Sequence, residues 1–146
     1  MRAIIQRVSR ASVRIDDKTA AEIGCGLLVL LGVADGDAPE DADFLAKKIA
    51  LMRIFCDSED RMNLSVQDVD GSVIAVSNFT LCADASHGNR PSFIAAARPE
   101  IAEPLYERFI HKLRENGVKN VQTGVFGADM RVGLENDGPV TIILDS

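Results

Sequence analysis

GLLVLLGVADGDAPEDADFLAKKIALMRIF, residues 26–55, changes its hydrophobic period halfway along. From Leu27 to Val33 the run is almost continuously apolar, the pattern of a strand buried on both faces. Beyond Asp37, the residues Ala42, Leu45, Ile49 and Met52 recur at the spacing of one helical face. Asp37 with Glu40 resembles a capping box ahead of that face, and Pro39 suits a first helical turn. A central buried strand followed by an amphipathic helix is the nucleus of an α+β reading, and the flanks extend it.

Upstream, Ala3 to Ile15 is rich in β-branched and apolar positions, and TAAEI adds a second strand before a Gly24/Gly26 break. Downstream, GSVIAVSNFTLCAD returns to strand character over Val73 to Val76 and leaves Ser77-Asn78 at its end, where polar residues serve either function or chain exit. After an irregular stretch, Leu105, Tyr106, Phe109 and Leu113 share a second helical face that Asn116-Gly117 stops, and Pro104 either begins that helix or kinks it. MRVGLEN and VTIILDS then alternate as strands and are expected to pair as a hairpin around Asn136-Asp137-Gly138-Pro139. The order β-β-β-α-β-α-β-β predicts one α+β domain over residues 1–146, with a mixed, mainly antiparallel sheet curling toward a barrel beside two helices.

Sixteen Lys and Arg stand against 22 Asp and Glu, a formal charge of −6, and the isoelectric point is near 4.9. That balance speaks against non-specific nucleic-acid binding, which needs a broad basic surface to release counterions. The distribution differs from the sum, because Arg2, Arg7, Arg10 and Arg14 all precede the first acid, Asp16. A locally cationic opening suits either a small phosphate-bearing ligand or strand-surface arginines paired with carboxylates elsewhere in the chain. No apolar run is long enough to cross a bilayer, and Gln6 and Arg7 interrupt the N-terminal segment before a signal-peptide core forms, so the expected location is cytoplasmic. Cys25, Cys56 and Cys82 lack CxxC or metal-ligand spacing and read as small buried hydrophobes of a reducing compartment.

Common catalytic patterns are missing: the chain has no GxSxG, no P-loop and no dinucleotide glycine fingerprint. Its histidines are His87, in a loop beside Gly88, and His111, on the outer side of the second helix. Neither is an evident base for the hydroxyls of Ser77 or Thr80. Gly138-Pro139 is also unusual, since proline has no N–H for a sheet ladder and belongs at a strand's first residue, an edge or a bulge.

Two stretches taken together carry a signal. SNFTL (Ser77–Leu81) and NDGPVT (Asn136–Thr141) resemble the paired motifs of the D-aminoacyl-tRNA deacylases, written SQFTL and NxGPVT. The likeness continues, in order, through IQRVSRASV, GLLVLLGV, RIF, MNLSV, NRPSF and GVFGADMRV, and so covers essentially the whole chain. One departure is Asn78, where the family has Gln; the side chain is one methylene shorter, so its contact is expected to be weakened or bridged differently.

The resemblance implies hydrolysis, by a homodimer without metal or cofactor, of the ester joining a D-amino acid, and also glycine, to the 3′-terminal adenosine of tRNA. Such an ester is already activated by its ammonium group and vicinal ribose hydroxyl, so positioning plus an oxyanion donor can supply much of the acceleration. Catalysis then falls to Ser77, Asn78, Phe79 and Thr80, with the N–H groups of Phe79 and Thr80 as oxyanion donors and Thr80 as positioning group or nucleophile. In that family the Gly-Pro bond is cis and its carbonyls enter the partner subunit's pocket, which assigns chiral selection to Gly138 and Pro139. A main-chain wall close to Cα excludes any L side chain and cannot exclude glycine. Arg7 matches an arginine that braces this element. Phe79, Phe126 and Met130 match positions around the terminal adenosine, although as lone apolar residues they are equally good core. Two other classes stay open: a non-enzymatic binding protein on the same scaffold, with Asn78 marking lost activity, and a threonine-nucleophile esterase for small acyl esters.

Overall fold

In the computed structural model, which describes residues 1–146, the chain opens with a 14-residue strand, β1 (Arg2–Ile15). A turn at Asp16-Asp17, both in the left-handed region with φ of 47° and 61°, leads into β2 (Lys18–Ile23), and β3 (Gly26–Gly32) follows. Helix α1 (Pro39–Leu51), a short β4–β5 pair (Phe55–Cys56 and Met62–Leu64), β6 (Ser72–Ser77), a 3₁₀ turn (Phe79–Cys82), helix α2 (Pro99–Glu115), β7 (Asn120–Thr123) and β8 (Arg131–Asp145) complete the fold. The main sheet runs β2-β1-β3-β6-β7, with β8 on the free side of β1. Its β1 pairings are antiparallel, and β3-β6 and β6-β7 are parallel. The Gln122 side chain on β7 accepts from the Glu22 N–H and donates to the Glu22 carbonyl on β2, both at 2.8 Å, and so draws the sheet's far ends into a nearly closed barrel. No helix is long and apolar enough to cross a membrane.

The continuous apolar run of β3 has the expected cause. Leu27, Val29 and Leu31 join the larger core under the helices, while Leu28 faces a smaller core inside the curled sheet. β1 serves both cores as well, but with a change of parity: Ala3 and Ile5 belong to the first, and Val8, Ala11 and Val13 to the second. Ser9 has no partner on β8 between Val8↔Asn136 and Arg10↔Glu135, and this one-residue bulge turns the later side chains over.

Several local readings change. Residues 131–145 form one strand, not a hairpin, antiparallel to β1 from Arg14↔Arg131 to Arg2↔Asp145. β1 is long enough to pair both halves, so the Asn136–Pro139 turn signal becomes a bulge in which Asp137 to Val140 have no β1 partner. The cap of α1 shifts by one residue: Ala38 is the N-cap and the Asp41 carboxylate takes its N–H at 2.8 Å, a bond that lowers the Asp41 pKa. Asp37 instead accepts from the Ala34 N–H and the N-terminal ammonium, each at 2.6 Å. α2 begins at Pro99, which leaves Pro104 inside the helix. Cys25 and Cys56 are exposed rather than buried, because they lie in the β2–β3 connection and on the outer side of the two-residue β4; Cys82 is half-buried, and all three are free.

Gly26 marks the tightest approach in the sheet, since a Cβ there would collide with the backbone carbonyl of Ser72 on the parallel neighbour β6. Gly26→Ala is expected to cost about 3 kcal/mol, the upper end for overpacking, measured as a drop in the urea midpoint at unchanged slope.

Candidate active site

β6 delivers the SNFTL motif to the edge of a cleft. The Asn78 N–H still bonds the Leu31 carbonyl of β3 at 2.8 Å, and the chain then tightens into the 3₁₀ turn. Gly32 lies directly beneath, where a Cβ would stand 2.9 Å from the Leu81 Cβ and 3.1 Å from the Asn78 carbonyl oxygen, so a side chain would push the turn away. Asn78 Oδ1 caps the turn: it accepts from the Thr80 N–H at 3.1 Å and from the Thr80 hydroxyl. Asn is the side chain whose length closes such a turn two residues ahead. The expected pair of oxyanion donors is therefore reduced, since the Thr80 N–H is already engaged. Phe79 is the first residue of the turn, where a helix leaves its N–H without an intrahelical partner.

The cleft encloses about 590 Å³. Ser77, Asn78, Phe79, Phe126 and Met130 line it, together with Leu31, Val33 and Tyr106 from the adjoining strand and helix. Phe79 meets Phe93 edge-on at 5.2 Å, and Tyr106 tilts against Phe126 at 6.1 Å. Phe93 is held there because Ala97 and Asp35, on either side of the connection, bond Val33 and Ala95 at 3.0 and 2.9 Å. Gly124 leaves the space over which the Met130 sulfur lies. Among the lining residues the ionisable side chains are Asp129, exposed and with no ion-pair or hydrogen-bond partner, and Tyr106. The Tyr106 hydroxyl donates to the Ala75 carbonyl at 2.8 Å, and burial pushes its pKa well above the ordinary phenol range. His87 and His111 are exposed and line no part of the cleft; His111 lies 2.9 Å from Glu115.

Gly138 and Pro139 belong to a separate place, the exposed bulge of β8, and do not line this chain's cleft. The bond between them is cis. Arg7, only 8% exposed, braces the bulge: Nε donates to the Asp137 carbonyl at 3.1 Å and lies 2.9 Å from its carboxylate, while Nη1 donates to the Ile54 carbonyl at 2.6 Å. Asn136 Nδ2 completes the brace, reaching the Arg7 and Val140 carbonyls at 2.9 and 3.0 Å. Thr80 is exposed beside the cleft rather than in its wall. The residues singled out from sequence thus divide between two sites. Phe93, Asp129 and the bracing role of Asn136 were not singled out, although NRPSF, GVFGADMRV and NDGPVT contain them.

The D-Tyr-tRNA(Tyr) deacylase family profile matches residues 4–145. The D-aminoacyl-tRNA deacylases of Flavobacterium johnsoniae and Anaeromyxobacter dehalogenans are each 58% identical to the chain over 146 residues, covering 100% of it and 97% of their own length. Among solved structures, a c-Myc DNA unwinding element binding protein superposes with a TM-score of 0.94 at 38% identity, over 100% of this chain and 99% of the other. A probable eukaryotic D-amino acid tRNA deacylase superposes with a TM-score of 0.83 at 19% identity, over 99% and 98%, a likeness of fold alone.

Lysine cannot reproduce the fork with which Arg7 reaches Ile54 and Asp137 at once. Arg7→Lys is expected to lower stability by about 2 kcal/mol, one charge-assisted hydrogen bond, and to speed amide hydrogen exchange selectively over residues 136–141. Unchanged exchange there would show that the bulge is held by other contacts.

Proposed function

The chain belongs to the D-Tyr-tRNA(Tyr) deacylase family, and on that premise we propose that it hydrolyses the ester joining a D-amino acid to the 3′-terminal adenosine of tRNA. The observation that carries this reading is convergence: Ser77, Asn78, Phe79, Phe126 and Met130, from motifs far apart in sequence, line one cleft of about 590 Å³, within the range of small-ligand sites. The adenine packs among Phe79, Phe126 and Met130, which offer aromatic and thioether surface to a base. The ester carbonyl then lies over the start of the 3₁₀ turn, where the Phe79 N–H stabilises the developing oxyanion.

No strong nucleophile takes part. The Thr80 hydroxyl donates to an amide oxygen rather than to a base, and Tyr106 stays protonated at neutral pH. Water attacks the carbonyl carbon, aided by the substrate's ribose 2′-hydroxyl; the bond to the 3′-oxygen breaks and that oxygen leaves with a proton. Selectivity comes from Gly138 and Pro139. They stand apart from the cleft of their own chain, so they act in that of a second copy, and the active form is a homodimer. Held by Arg7 and Asn136, their carbonyls stand close to the substrate Cα, obstruct an L side chain and admit glycine.

The direct test is deacylation of tRNA charged with D-tyrosine, L-tyrosine or glycine, with the assembly mass measured by light scattering. Turnover of the D and glycyl esters by a dimer, with the L ester left intact, is the expected result. Failure on the D ester would leave a binding protein.

Thr80→Ala should lose on the order of tenfold in kcat, the worth of one hydrogen bond, whereas a substrate ending in 2′-deoxyadenosine should lose more. A dead Thr80→Ala enzyme together with normal cleavage of the deoxy substrate, or an acyl adduct on Thr80 seen by mass spectrometry, would favour the threonine-nucleophile reading. Asn78→Gln should release the Thr80 N–H and raise kcat by up to about tenfold; a lower kcat would show that the capped turn is the working state.

A further inference from the structure

Along the β1–β8 ladder the exposed arginines face acids, with one exception. Arg2 lies opposite Asp145 and holds it through two N–H groups at 2.7 and 3.0 Å. Arg10 lies opposite Glu135, with an ion pair at 3.1 Å. Arg14 lies opposite Arg131. Like charges directly across a ladder oppose pairing, so this juxtaposition is a cost to the fold that the other two positions avoid.

Both guanidiniums lean on Asp17 in the β1–β2 turn: Arg14 donates to its carbonyl at 3.0 Å and Arg131 to its carboxylate at 3.2 Å. A guanidinium has five N–H donors, and these are the side-chain hydrogen bonds the two arginines make, so most donors remain free. The pair lines a polar cavity of about 260 Å³ with Asp16, Asp17, Asp129 and Met130. Asp129 and Met130 also line the apolar cleft, so cavity and cleft share a wall.

We propose that Arg14 and Arg131 form a subsite for the phosphodiester preceding the terminal nucleoside, that is, for the backbone of the substrate's single-stranded 3′ end. The inference rests on the reading of the cleft as the nucleoside site. A nucleoside seated against Met130 carries its phosphate on the 5′ side, and across the shared wall stand two planar forks matched to phosphate oxygens. Three acids share the cavity with the two arginines: Asp17 is already engaged by Arg131, Asp16 is exposed in the turn just before it, and Asp129 stands at the wall itself, where it turns an anion away from the cleft. The charged backbone is thereby kept on the arginine shelf while the uncharged nucleoside enters. A local two-arginine grip also suits a chain of net charge −6, which lacks the broad basic surface of a duplex binder.

The test compares D-tyrosyl-tRNA with D-tyrosyl-adenosine, which has the same ester and nucleoside and no phosphate. In the Arg14→Ala/Arg131→Ala double variant, kcat/KM for the tRNA should fall at least about tenfold relative to that for the adenosine ester, mainly through KM. The Arg14→Lys/Arg131→Lys variant should recover part of the loss, and the thermal midpoint of the alanine variant should not fall, because a like-charge pair has been removed. In a second arm, binding of a CCA trinucleotide is titrated against salt, and the log–log slope should become shallower by about 0.7 for each phosphate contact removed. An unchanged ratio of the two kcat/KM values, or an unchanged salt slope, would overturn the subsite. If the unmodified protein left D-tyrosyl-tRNA intact, the cleft reading would fail, and the salt slope on CCA would still decide the arginine pair.

Discussion

β1 lies between two cores and three neighbouring strands, and every part of the candidate site is placed relative to it. Ala3 and Ile5 complete the helix-covered core; from Val8 onward, across the bulge at Ser9, Val8, Ala11 and Val13 complete the core inside the barrel. Without that extra residue the alternation would carry Ala11 and Val13 onto the wrong face, and the small core would lose its floor. The same strand also carries β8 along its whole length, so the bulge that presents Gly138 and Pro139 and the ladder end that presents Arg131 are positioned by one partner.

Arg7 links these regions. Its guanidinium is nearly buried and bonds a carbonyl just after α1 and the carbonyl of the β8 bulge, joining the helical layer to the exposed element through one planar group. The ion pair with the half-exposed Asp137 carboxylate adds less than the two carbonyl bonds, since solvent screens it. Removing the guanidinium would leave a buried carbonyl without its donor, which is more costly than losing a surface pair.

The cleft is poor in titratable groups, and that is consistent with an activated ester as substrate. Asp129 is unpaired at the wall, Tyr106 is committed to Ala75, and the histidines lie elsewhere on the surface. What the turn offers instead is oriented backbone, and Asn78, whose amide oxygen accepts from the Thr80 N–H, decides which of its donors stay free. The same bond gives the one departure from the family motif a structural consequence.

Much of this was legible in the chain itself. The doubly buried β3, both helical faces and the α+β class follow from period and composition, and the motif residues from the family resemblance, whereas the short strands β4, β5 and β7 were not anticipated. The misreadings share a cause: a local signal met a long-range partner. Asn136–Pro139 has the composition of a hairpin turn, yet β1 is long enough to pair with both flanking segments, and pairing them made a bulge. The Asp37 cap signal was real chemistry, but Pro39 at the helix start moved the N-cap to Ala38 and freed Asp37 for the N-terminal ammonium. The family resemblance had already set Gly138 and Pro139 apart from the catalytic motif, but their placing on a bulge of a single long strand and the meeting of Arg14 with Arg131 could not be read from sequence at all. They depend on the sum of register shifts along β1 and β8, and a register is fixed by the packing of both faces at once rather than by any one residue or its neighbours.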